Sequence, residues 1–132
     1  MSESAGYSHR SRLDKLGVKS GARVAVLRLD DDAFRRELES RTQDLAFHRP
    51  RKDSDIVIFS VTKTVELVRL SALKNQIKKN GAIWVLWPKG RQELKSGDVR
   101  KAAADARLVD VKVAAFSDVL SALKLVIPVA NR

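Results

Sequence analysis

The run at 82–87, AIWVLW, carries no polar residue at any position. A strand of that kind cannot lay either face against water, so both sides must be covered, as they are for a central strand between two helix layers. Pro88 ends it, because a proline removes a ladder donor. A chain holding such a strand is committed to a layered α/β architecture.

The flanking segments agree. ARVAVLRL, from Ala22 to Leu29, is a β-branched run of strand length that stops at Asp30, Asp31 and Asp32. DAFRRELESRTQ then spaces Phe34 and Leu38 as a short amphipathic helix does, and the three aspartates supply its N-cap and a favourable charge at its positive end. DLAFHR reads as a short strand, PRKDS as a turn and DIVIFSV as a further strand. From Thr62 to Asn80, Leu70, Leu73 and Ile77 fall on one helical face, with Lys78 and Lys79 at the C-terminal end and Asn80-Gly81 as the stop, which predicts one long helix. A helix at 98–107 follows, with Val99, Ala102, Ala103 and Ala106 at helical spacing. In LVDVKVAAF the alternation places Val109, Val111 and Val113 on one face and Asp110 and Lys112 on the other. SALKLVIPVA is close enough behind to return antiparallel. The expected fold is a three-layer, Rossmann-like α/β domain over 13–132, mainly parallel with an antiparallel C-terminal strand, after a mobile N-terminal tail at 1–12.

Composition narrows the chemistry. The 132 residues contain no cysteine, which removes thiol nucleophiles, disulfides, iron–sulfur clusters and cysteine zinc sites, and the two histidines are His9 and His48. No apolar run approaches the ~20 residues of a membrane span, and the first residues hold no hydrophobic signal core, so a soluble cytoplasmic protein with no membrane partner is expected. The formal charge of +10 favours an acidic partner. Its cations are dispersed rather than gathered in an arm, and aromatics for base stacking are few, so solvated helix faces are preferred to a nucleic-acid groove.

Two resemblances attach to these residues. The phrase LGVKSGARV leading into a strand, the later AIWVLW strand, a helix, then LVDVKV and an antiparallel final strand resemble class I S-adenosylmethionine-dependent methyltransferases over most of residues 13–129. A closer resemblance is to an uncharacterised bacterial domain-of-unknown-function family (DUF three-zero-five-two). It rests on Leu16, Gly17 and Gly21, Asp55 before IVIF, Gly81, Trp84, the WPK of Trp87, Pro88 and Lys89, Asp98 and Arg100, and Val109, Asp110, Lys112 and Val113. The chain departs from that family at Leu120, Ser121, Ala122 and Leu123, where a tryptophan followed by Ser-Gly-Leu is expected. The resemblances imply a methyltransferase-like fold and, from the second family, no assigned activity.

The glycines that such a fold uses to bring backbone against a ligand are missing from RLDDDAF, and three carboxylates at the helix N-terminus repel a phosphate. A cationic adenosylmethionine is less strictly excluded than a pyrophosphate. Asp30 and Asp31 are therefore one candidate ligand site, with capping as their simpler role and no metal expected. Lys89 and Arg91 in WPKGR are the second, placed beyond a strand end where they could hold a phosphate or carboxylate. Trp84 and Trp87 are read as core, and Asp110 and Lys112 as a structural or interfacial ion pair on one strand face. His48 stands as a lone loop histidine. With no catalytic group recognisable and no cofactor required, the reading leans away from an enzyme. It is a binding or regulatory module for a protein partner, a second copy of itself or an anionic small molecule. The alternatives are a cryptic S-adenosylmethionine-binding methyltransferase-like enzyme and a weak nucleic-acid binder.

Overall fold

A computed structural model describes residues 11–132. Residues 1–10, with His9 and most of the stretch read as a tail, lie outside the described residues. Ser11 caps the first helix, its hydroxyl accepting from the Asp14 N–H, and Arg12 is already helical.

The elements run α1 (Arg12–Leu16), β1 (Val24–Leu27), α2 (Asp32–Glu39), β2 (Leu45–Phe47) and β3 (Ser54–Ser60). A 3-10 helix (Thr64–Arg69) and α3 (Leu70–Lys74) follow, then β4 (Ile77–Pro88), α4 (Ser96–Asp105), β5 (Val109–Ala115) and β6 (Leu120–Val126). They build one six-stranded sheet in the order β2-β1-β3-β4-β6-β5. β2, β1, β3 and β4 are parallel, and β6 runs antiparallel to both β4 and β5.

Alternation along the central strands divides the core in two. On one face Ala25, Leu27, Val57, Phe59, Ile83, Val85 and Trp87 meet Leu67, Leu70 and Leu73 and then Val99 and Ala103 of α4. On the other, Val24, Val26, Ile56, Ile58, Trp84 and Leu86 meet Leu13 and Leu16 of α1 and Phe34 and Leu38 of α2. β4 contributes to both, as its unbroken apolar run requires. Trp84 is fully buried, and its indole Nε1–H donates to the Leu16 carbonyl at 2.9 Å. That bond satisfies one of the carbonyls a helix end leaves without a partner. The Arg12 guanidinium joins the same layer by pairing with Glu37 and lying over the rings of Phe116 and Phe34.

Two local expectations change. The long helix predicted over 62–80 stops at Lys74, and β4 begins at Ile77, opposite Ser54. Asn80 and Gly81 lie inside the strand rather than at a helix stop. A Cβ on Gly81 would stand 2.9 Å from the Ser54 carbonyl and 3.0 Å from that of Asp55, so the glycine permits the close approach of β3 and β4 where their register shifts. Sheet pairing here outweighs a helical periodicity that only Leu70 and Leu73 needed.

The second change is at the β5 edge. The β5–β6 register slips between Asp110 and Lys112, so the two side chains leave opposite faces of the sheet and form no ion pair. Asp110 accepts from Arg100 of α4 at 3.1 Å, whereas Lys112 reaches the Lys15 carbonyl of α1. A bulge of one residue inverts alternation beyond it, which is why strict period-two reading failed there.

Gly81→Ala is expected to lower stability by about 1–3 kcal/mol, the usual cost of forcing atoms into a packed contact. Urea unfolding checks this, and an unchanged midpoint would mean that β3 and β4 have room to separate.

Candidate functional site at the carboxyl edge of the sheet

The order of strands sets where a ligand can enter. α2, leaving β1, packs on one face of the sheet, and the 3-10 helix and α3, leaving β3, pack on the other. Between the carboxyl ends of β1 and β3 the chain thus departs in opposite directions, which makes a crevice of the kind in which open α/β sheets bind ligands.

Residues from three strand ends meet there. Arg28, directly after β1, has φ +61°, and His48, directly after β2, has φ +65°. Left-handed backbone at a non-glycine residue is uncommon and costs about 1–2 kcal/mol. Arg28 therefore takes the bend that glycine ordinarily provides after the first strand. Its guanidinium pairs with Glu66 of the 3-10 helix, whose carboxylate also accepts from the backbone N–H groups of Thr62 at 2.7 Å and Lys63 at 3.0 Å. Burial by itself would raise the Glu66 carboxyl, but these two N–H groups and Arg28 together hold it below the usual range. On the other side, His48 donates its backbone N–H to the Val26 carbonyl, and its Nε2 lies 3.3 Å from Asp30 Oδ1. Asp31 is the N-cap of α2, accepting from the Phe34 N–H at 3.0 Å. The turn after β1 is thus tied to the end of β2 by Asp30 and to the loop after β3 by Arg28.

Within this frame lies a recess of about 40 Å³, lined by Val26, Phe34, Phe47, His48 and the three aspartates among others. The Arg35 guanidinium stacks over Phe47 at 4.2 Å and closes one wall. Lys89 and Arg91 do not join it. They line a separate cleft at the end of β4 with Trp87, Leu94 and Lys95. Trp84 is absent from both cavities. Among the described residues no group of three histidine, aspartate or glutamate side chains is placed to hold a metal ion. Among the same residues no helix is long and apolar enough to cross a membrane. Sequence reasoning set His48 aside as isolated; its partner Asp30 lies 18 positions away, and only the parallel pairing of β1 with β2 brings the two strand ends together.

No family model matches the chain, and no curated protein matches it. Solved structures do. A SAM-dependent methyltransferase from Aquifex aeolicus aligns with a TM-score of 0.68 at 13% identity, covering 94% of this chain and 96% of that one. The precorrin-6y C5,15-methyltransferase of Geobacter metallireducens gives 0.67 at 9% identity, over 89% and 86%. Magnesium protoporphyrin IX methyltransferase from Synechocystis PCC 6803, with bound SAH, gives 0.60 at 12%, over 88% and 78%. The fold is Rossmann-like and methyltransferase-like. The expectation of a non-catalytic binding or regulatory module, leaning away from an enzyme, is corrected by these matches, since nearly the whole chain superimposes on methyltransferases. That expectation rested on the missing glycines and on the lack of a recognisable catalytic group; the turn after β1 is made here with Arg28 in the left-handed region.

Arg28→Val is expected to destabilise the protein by about 1–2 kcal/mol, because a β-branched side chain suits the left-handed region worst. Arg28→Gly loses the exposed ion pair but accepts the bend, and its change should stay within about 1 kcal/mol. Urea unfolding of the two variants separates strain from pairing.

Acid titration of stability tests the Glu66 tether. A carboxyl held low in the folded state stabilises above its unfolded value, and that contribution disappears as the pH falls through the folded one. Stability should therefore decline below about pH 4–5, and Glu66→Gln should flatten part of the decline. An identical acid limb in the variant would show that Glu66 contributes nothing to it.

Proposed function

We propose that the chain is an S-adenosylmethionine-binding, methyltransferase-type enzyme with its cofactor at the carboxyl edge of β1 and β2. The observation that carries this reading is the reversal of chain direction between β1 and β3, with a left-handed residue immediately after β1. The solved structures of similar fold support it, one of them with bound SAH.

The residues fit the cofactor in charge. Asp30, Asp31 and Asp32 put negative potential where a sulfonium and an ammonium would lie, and they disfavour a pyrophosphate. His48 offers a hydrogen-bonding group to a ribose hydroxyl, and Phe47 an apolar wall to a base. In volume the recess falls short of the ~300 Å³ at which small-molecule sites begin. Binding therefore requires the recess to widen, and the Asp30–His48 contact across its rim is one that can part. Their side chains are 94% and 55% exposed, and an exposed pair is worth only about 0–1 kcal/mol, so the opening is inexpensive. When bound, the cofactor supplies an electrophilic methyl group. Arg28 and Glu66 brace the turn after β1 from the far side. The resemblance of WPK, DVR and LVDVKV to the uncharacterised bacterial family supports counting the chain with that family as part of the same proposal.

Calorimetric titration with S-adenosylmethionine and S-adenosylhomocysteine should show saturable binding, weakened about tenfold (~1.4 kcal/mol) by Asp30→Ala. Asp98→Ala, which removes the cap hydrogen bond from the Lys95 N–H at the start of α4 and lies outside the recess, serves as the folding control. No heat and no thermal shift at millimolar cofactor overturns the reading.

A further inference from the structure

At the opposite, amino-terminal edge of the sheet lies a cavity of about 570 Å³, well inside the ~300–1,000 Å³ range of small-molecule sites. Its floor is apolar: Ala22 before β1, Ile56 of β3, Ala82 of β4 and Val126 of β6. The loop after α1 forms its mouth. Gly17 and Gly21 stand there at φ +78° and +77°, with nothing within 4 Å of where a Cβ would be.

Lys124 lines this cavity from β6, beside Trp84 in the β4–β6 register. It is half-buried, yet its ammonium takes part in no hydrogen bond or ion pair among the described residues. Half-burying an ammonium without a partner is unfavourable, and long cationic side chains ordinarily reach water or an acid. One acid lines the cavity, Asp55, and it is already engaged by the Lys78 ammonium at 2.9 Å and by the Arg23 backbone N–H. Burial would raise the Asp55 carboxyl, but those two contacts hold it below the usual range, so it remains an anion committed to Lys78. Lys19 adds a second cation at the rim, and Ser20 and Asn80 offer side chains with no hydrogen bond inside the described protein.

We propose that this cavity is a second binding site, distinct from the carboxyl edge, for a small organic anion. Its carboxylate or phosphate is held by Lys124 and Lys19, and its apolar body rests on Ala22, Ile56, Ala82 and Val126. The floor is too large and too apolar for an inorganic ion alone, and the unpaired Lys124 gives a neutral ligand no advantage over an anion. The site lies a full strand length from Asp30 and His48, so it stands or falls independently of the proposed cofactor site.

Amide-resolved NMR titration tests it with four probes: 1-naphthoate, adenosine monophosphate, adenosine and inorganic phosphate. Saturable shifts at Gly17, Gly21 and Ala82 are expected with naphthoate or adenosine monophosphate. Response to naphthoate alone assigns a carboxylate ligand, and response to the nucleotide alone a phosphate. Adenosine and phosphate by themselves should bind at least tenfold more weakly. Lys124→Met retains the apolar stem and breaks no contact, and it should weaken binding at least tenfold; the exposed Lys19→Gln should weaken it less, and Asp30→Ala should leave it unchanged. Absence of saturation by both organic anions at about 10 mM overturns the proposal. So do shifts confined to Asp30 and His48, phosphate binding as tightly as its nucleotide, or a Lys124→Met variant that binds as well as the parent.

Discussion

Burial of β4 on both faces is the constraint on which the rest of the molecule depends. Ile83, Val85 and Trp87 look into one core and Ala82, Trp84 and Leu86 into the other, and all are nearly or wholly inaccessible to water. Each such side chain withdrawn from water contributes roughly 1.5–3 kcal/mol, so neither helix layer is dispensable. The connections that leave β1 and β3 contribute to these two layers on opposite faces of the sheet. The crevice at the carboxyl edge is a geometric consequence of that division rather than a separate feature.

The two edges of the sheet have been treated differently by the chain. At the carboxyl edge, left-handed backbone at Arg28 and His48 is tied to neighbouring elements, leaving a small recess lined by three aspartates. At the amino edge, glycines leave the mouth open over a larger cavity with an apolar floor and an unpaired ammonium. Strain in a turn persists only where its surroundings over-determine it. At Arg28 the Glu66 carboxylate, itself held by the Thr62 and Lys63 N–H groups, supplies that over-determination, and at His48 the backbone bond to the Val26 carbonyl does. The recess is lined by three aspartates and the amino-edge cavity by Lys19 and Lys124, so a cationic and an anionic ligand would each find a preferred site.

Much of this was legible before any coordinates. The β-branched run from Val24, the helix capped by Asp31, the DIVIF strand, the α4 helix and the antiparallel return of β6 all follow from period, caps and turn residues. The failures share one cause. Residues 77–80 read as the end of a helix because Ile77 continues a helical face, yet they lie in β4, whose Ile77 pairs with Ser54, a partner more than twenty residues earlier. Asp110 and Lys112 were placed on one face because alternation was assumed, and a bulge opposite β6 broke it. Asp30 and Asp31 were picked out at the right strand end, but His48 was dismissed because its partner is remote in sequence.

By itself, the sequence determined the class of fold, the two-sided central strand and the absence of a glycine cradle, because these depend on local pattern and on which side chains can face water. Tertiary structure decided the strand order, the meeting of Arg28 with Glu66 and of Asp30 with His48, the separation of Lys89 and Arg91 from the recess that Asp30 and His48 line, and the isolation of Lys124. Each of these turns on which strands become neighbours and in what register. A register shift of one residue exchanges the faces of a strand at almost no local cost, so no local signal in the chain could have recorded the outcome.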